Sequence, residues 1–96
     1  MKQPAVYIVT NKENGTLYVG VTSNLAKRIH EHKQGFVKGF TKKYGCKLLV
    51  FYEPHETMES AIAREKQIKG GSREQKLHLI KTINPDWIDL YENLLY

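Results

Sequence analysis

Ala5-Val6-Tyr7-Ile8-Val9-Thr10 and Thr16-Leu17-Tyr18-Val19-Gly20-Val21, joined by the turn-prone Asn11-Lys12-Glu13-Asn14-Gly15, read as a β-hairpin. Both runs are rich in β-branched and aromatic residues, which suit a pleated, half-buried surface. Beyond the hairpin, Thr22, Ser23 or Asn24 caps a helix on which Leu25, Arg28, Ile29 and His32 share one face. Gly35 to Gly45 is a basic stretch punctuated by glycine, with Phe36, Phe40 and Tyr44 recurring every four residues. Lys47 to Glu53 reads as a third strand, and its nearly continuous apolar run, Leu48 to Phe51, predicts a central position covered on both sides. Thr57 caps a second helix reaching about Lys69, with Met58, Ala61, Ile62 and Ile68 near helical spacing and Glu65 in the same stripe. Gly70-Gly71 stops it, and Ser72-Arg73-Glu74-Gln75 has the form of a capping box for a third helix to about Lys81. Asn84-Pro85 opens a short last turn bearing Trp87 and Leu90.

The order ββαβαα, with that last turn as a further α, predicts an α/β (α+β) fold: a small three-stranded mixed or antiparallel sheet flanked by helices. At 96 residues the chain is expected to be one domain, 1–96, with no room for a separate specificity domain. With 41% hydrophobic and 26% charged residues it is neither a disordered nor a membrane chain. The start, Met1-Lys2-Gln3-Pro4, lacks the apolar core of a secretory signal, so a cytoplasmic location is expected. Cys46 is the only cysteine, which excludes an internal disulfide and a cysteine-rich zinc framework.

The net charge of +5 is unevenly spread. Lys27, Arg28, Lys33, Lys38, Lys42, Lys43 and Lys47 face a single acid, Glu31, within that stretch, whereas the last fifteen residues carry three acids and no base. A segregated basic half suits a polyanion, whose neutralised phosphates release counterions; scattered lysines for solubility are the plainer reading. The aromatics among these lysines either stack on exposed bases or are buried by a helix, and their four-residue spacing is consistent with both.

Two tyrosines on paired strands, an arginine one turn before a histidine, and a later carboxylate are the parts needed to cleave a phosphodiester around one divalent metal. Each also has a structural reading taken singly. Tyr7 and Tyr18 can pack across the hairpin, Arg28 can be solvated, His32 can be a packing residue, and Glu65 can pair with Lys69 at i+4. His30 is offset from His32 by two positions, which disfavours a two-histidine zinc site on that helix.

Together, Tyr7, Tyr18, Gly20, Arg28, His32 and Glu65 stand in the order and approximate spacing of the GIY-YIG nuclease superfamily, and the chain resembles its small single-domain bacterial branch over essentially its whole length. Ala5 and Val6 replace the first glycine and the isoleucine, and Val21 stands where excision-repair relatives carry a lysine. The resemblance implies that Tyr7 or Tyr18 helps activate the attacking water, that Arg28 grips the scissile phosphate, that His32 orients a tyrosine or shares the proton, and that Glu65 is the sole protein ligand of Mg²⁺ or Mn²⁺. A tyrosine's ordinary pKa of about 10 makes it a poor base without a nearby cation. Lys33, Lys38, Lys42, Lys43 and Lys69 are the expected nucleic-acid contacts. Asn84 either touches phosphate, as a late asparagine does in some relatives, or caps a helix before Pro85.

The expected activity is metal-dependent hydrolysis of DNA, with structured or damaged DNA of repair or recombination as the substrate, or with a protein partner supplying specificity. The competing expectations are a non-catalytic nucleic-acid-binding module and a protein-interaction module built on Trp87 and the acidic tail.

Overall fold

The computed structural model describes residues 3–94. Strands β1 (Ala5–Thr10) and β2 (Leu17–Thr22) form the hairpin, α1 (Leu25–Lys33) and α2 (Phe40–Tyr44) lead to β3 (Leu48–Pro54), and α3 (Met58–Lys69), α4 (Arg73–Ile83) and a 3₁₀ helix (Leu90–Leu94) follow. The sheet is antiparallel throughout in the order β2-β1-β3. The observed order ββααβαα thus contains one helix more than the sequence reading, α2, a five-residue turn between Gly39 and Gly45, both at positive φ.

The expected central position of the third strand is corrected: β3 is an edge and β1 is the centre, with all six of its residues buried. A continuous apolar run reports cover on both faces, and helices provide that cover at an edge as well as in the middle. Part of the run also comes from a bulge, since Ile8 pairs with Phe51 but Val9 with Leu49, leaving Val50 as the extra residue.

In the hairpin turn Asn11 Oδ1 accepts from Thr16 N (2.9 Å) and Asn14 takes a left-handed φ of 57°. Arg73 of α4 clamps the turn by donating to the carbonyls of Asn14 and Gly15, each at 2.8 Å. The helix starts follow their capping residues. Asn24 Oδ1 accepts from Lys27 N, Thr57 from Ser60 N, and Ser72 with Gln75 closes a complete capping box.

Two cores result. Val6, Ile8, Val19, Val50 and Phe51 pack against Ala61, Ile68 and Ile80 of α3 and α4. On the other face Ala5, Tyr7, Val9 and Leu49 meet Leu25 and Ile29 of α1, Cys46 and Leu90. Cys46 is buried, burial pushes its thiol pKa up, and it serves as packing. Ile62, read as a core position, is exposed. No described helix is long and apolar enough to cross a membrane.

Candidate active site

The site begins with the pairing of Tyr7 and Gly20. A Cβ on residue 20 would lie 2.4 Å from both Cζ and Oη of Tyr7, so only glycine lets the phenol cross the partner strand. The crossing brings Tyr7 Oη within 2.9 Å of His32 Nε2 on α1. Tyr18, paired with Val9, lies on the same sheet face, and its ring centroid is 5.9 Å from that of His32. Period two in the strand and one turn of helix therefore unite three side chains distant in sequence.

Arg28 sits one turn before His32, half exposed, with Nε 3.3 Å from Glu31 Oε1. Its guanidinium faces the Tyr7 phenol closely enough to oppose, only partly, the rise in pKa that burial imposes; Tyr7 ends at about 12. Burial, reinforced by the Arg28 charge, lowers His32 to about 4. At neutral pH the pair is an uncharged phenol and an uncharged imidazole. His32 Nδ1 is buried without a hydrogen-bond partner among the described residues.

Glu65 joins from the far layer. Its half-buried carboxylate pairs with Lys69 Nζ at 3.1 Å, one helical turn away, and that ammonium lies 5.4 Å from the centroid of the Tyr18 ring. Lys69 thus comes round the β2 edge to the tyrosine face. The alternative reading of Glu65, the i+4 pair, is what the structure contains. Two open grooves flank the cluster. One, of about 180 Å³, is polar and lined by Thr22, Ser23, Asn24, Lys27, Arg28 and Glu31. The other, of about 300 Å³, is mainly apolar and lined by Leu17, Tyr18, Val19, Phe40, Lys69 and Lys76.

Not every expected residue reaches this surface. Tyr7 is only 1% exposed, so of the two phenols Tyr18 is the accessible one. Asn84 lies inside the fold at the end of α4, where its buried amide donates to Val50 O (3.1 Å) and Ile88 O (2.8 Å) and accepts from Ile88 N (3.1 Å). The ammonium of Lys33 is held by Lys47 O (2.9 Å), by the Asp89 carboxylate and over the Tyr91 ring. Lys38, Lys42 and Lys43 are exposed, as expected of contacts to a polyanion. Lys76 was missed because its place in the groove follows from how α4 meets α3, which no local pattern encodes.

Among the described residues no group of three His, Cys, Asp or Glu side chains could hold a metal. A lone carboxylate suits Mg²⁺ or Mn²⁺, which keep waters and take substrate phosphate oxygens, and it does not suit zinc.

Residues 3–78 match the model of the GIY-YIG catalytic domain. A UPF0213 protein of Staphylococcus haemolyticus is 40% identical over 84% of this chain and 98% of its own length. A second, from Clostridium perfringens, is 42% identical over 80% and 82% respectively. The solution NMR structure of a UPF0213 protein from Bacillus halodurans superposes with a TM-score of 0.56 at 27% identity, covering 93% of each chain. These designations carry no activity.

Proposed function

Since the chain belongs to the GIY-YIG catalytic domain family, we propose that it is a metal-dependent endonuclease that hydrolyses DNA phosphodiesters at the surface where Tyr18 and Arg28 border the buried Tyr7–His32 pair, with Glu65 as the metal ligand. The convergence of both tyrosines on His32 beside Arg28 carries this reading. The unit acting is the whole chain, 1–96, in the cytoplasm, on structured or damaged DNA of repair or recombination, with a protein partner where specificity demands one.

Arg28 holds two oxygens of the scissile phosphate through its planar fork, exchanging Glu31 for a stronger partner. Tyr18, open to solvent on the side of Lys69, lines the path of the attacking water and, having first given its own proton to solvent, would take the water's proton as a phenolate. Tyr7 stays protonated and fixes His32 through Nε2. An uncharged His32 avoids a buried cation beside the Arg28 charge. Glu65 would hold the divalent ion, which supplies charge at the phosphate and lowers the cost of deprotonating water. Lys69 is then free to follow the DNA backbone.

The purified chain with Mg²⁺ or Mn²⁺ is expected to nick a panel of single-stranded, duplex and forked DNA. Glu65→Ala and Arg28→Ala should each cut at least about a hundredfold more slowly with unchanged melting curves, as loss of a transition-state charge contact predicts. Equal nicking by both variants rejects the assignment. The second reading, a binding module without catalysis, draws on the sealed Tyr7 and the Glu65–Lys69 pair. Salt-sensitive DNA binding without metal-dependent cutting on any substrate would favour it.

A further inference from the structure

The basic stretch folds against expectation for a buried helix: Phe36, Phe40 and Tyr44 are 68%, 45% and 44% exposed. Phe40 and Tyr44 are not scattered. Phe40 stacks on Tyr18 with centroids 6.1 Å apart and planes 29° from parallel, and Tyr44 packs on Phe40 at 4.8 Å. An aromatic staircase thus leaves the candidate active site at Tyr18 and climbs onto α2. Beside its lower step lies the groove of about 300 Å³, apolar along Leu17, Tyr18, Val19 and Phe40 and bounded by the side chains of Lys69 and Lys76. Lys76 Nζ donates to the carbonyls of Gly71 and Lys69, which leaves one of its three protons uncommitted. Between Gly35 and Lys47 there is no acid, and Lys38, Lys42 and Lys43 are exposed.

Flat π-faces bordered by Lys76 and by Lys69, whose ammonium is shared with Glu65, ask for a flat, anion-bearing ligand. A second copy of this chain would bring its own lysines onto these, and a neutral apolar segment would leave them uncompensated. A perfect duplex offers phosphates but keeps its base faces inside the stack. We propose, building on the nuclease reading for the position of the scissile phosphate, that this groove is a nucleobase subsite: one unpaired or extruded base of the bound DNA strand stacks against Phe40 and Tyr18 while its flanking phosphates meet Lys76 and Lys69. Phe40 is then a specificity-determining residue, selecting DNA with an unstacked base next to the cut.

The test is binding without metal, in EDTA, of oligonucleotides carrying one 2-aminopurine in a single strand, in a bulge, or in a perfect duplex. The single-stranded and bulged probes should bind more tightly than the duplex and lose fluorescence on binding. Phe40→Ala and Phe40→Leu should weaken both about tenfold and abolish the quench, as loss of one base–aromatic stack predicts, whereas Phe40→Trp should retain them. Far-UV circular dichroism of the three variants checks the fold, and Phe40→Leu keeps the apolar bulk if Phe40→Ala does not fold. Equal binding of all three probes overturns the subsite, as do variants that bind like the parent or a Phe40-dependent dimer in sedimentation. The same titration on Glu65→Gln separates the two proposals. Phe40-dependent binding there, with no cutting by any protein, would sink the nuclease reading alone. Cutting that survives in a parent chain indifferent to Phe40 would sink the subsite alone.

Discussion

One strand, β1, serves two faces built to opposite rules. Val6 and Ile8 look into a cluster of apolar side chains, sealed by α3 and α4. Ala5, Tyr7 and Val9 look the other way, into a core interrupted by the hydroxyl of Tyr7 and the imidazole of His32. The first face gains roughly 1.5–3 kcal/mol for each large aliphatic side chain it buries. The second accepts a buried histidine with one nitrogen unpartnered among the described residues, in return for a net gain of only about 1 kcal/mol from its hydrogen bond. Two-residue alternation therefore separates the residues that hold the molecule together from those that equip it, although they are covalent neighbours.

If that division holds, Ile8→Ala should cost about 2–5 kcal/mol in urea denaturation while cutting per folded molecule stays at the parent rate. A specific activity that falls with stability would show that the two faces are coupled. Acid comes next in size. With His32 at about 4 in the fold against 6.5 ordinarily, the unfolded chain takes up a proton that the folded chain refuses within that window. Stability is complete above pH ~6.5, drains as pH falls toward ~4 by up to about 3 kcal/mol, and changes no further from this group below that. Denaturation curves at pH 7.5 and 4.5 should differ by that amount, and His32→Gln should flatten the difference. An unchanged slope would place the acid sensitivity elsewhere. Gly20→Ala is expected to be smallest in stability, about 1–3 kcal/mol from overpacking against the Tyr7 ring, yet it should depress cutting disproportionately by parting Tyr7 from His32. A variant as active per folded molecule as Ile8→Ala would refute the link.

Local chemistry made the elements legible. Thr57 and Ser72 cap where their side chains predict, and Tyr7, Tyr18, Arg28 and His32 meet because strand and helix periods bring them to one face. What local chemistry does not carry is the choice among distant partners. Lys33 is spent on Asp89, 56 residues onward, and Asn84 on the carbonyl of Val50, 34 residues back. Neither bond leaves a trace in spacing. The apolar run of β3 was ambiguous for a related reason, because sheet position depends on which strand lies alongside, and burial does not. The short α2 rests on two glycines at positive φ and a stack on Tyr18, and four-residue spacing alone does not choose between burial and exposure for its aromatics.

The crossing of the Tyr7 phenol over residue 20 also makes the two tripeptides unequal as hereditary marks. Ala5 and Val6 keep the strand while departing from the family's letters, whereas any substituent at 20 evicts the phenol beneath which it would sit. A descendant of this chain can erode the first signature almost to silence and remain equipped; one that loses the second glycine inherits the shape without the instrument.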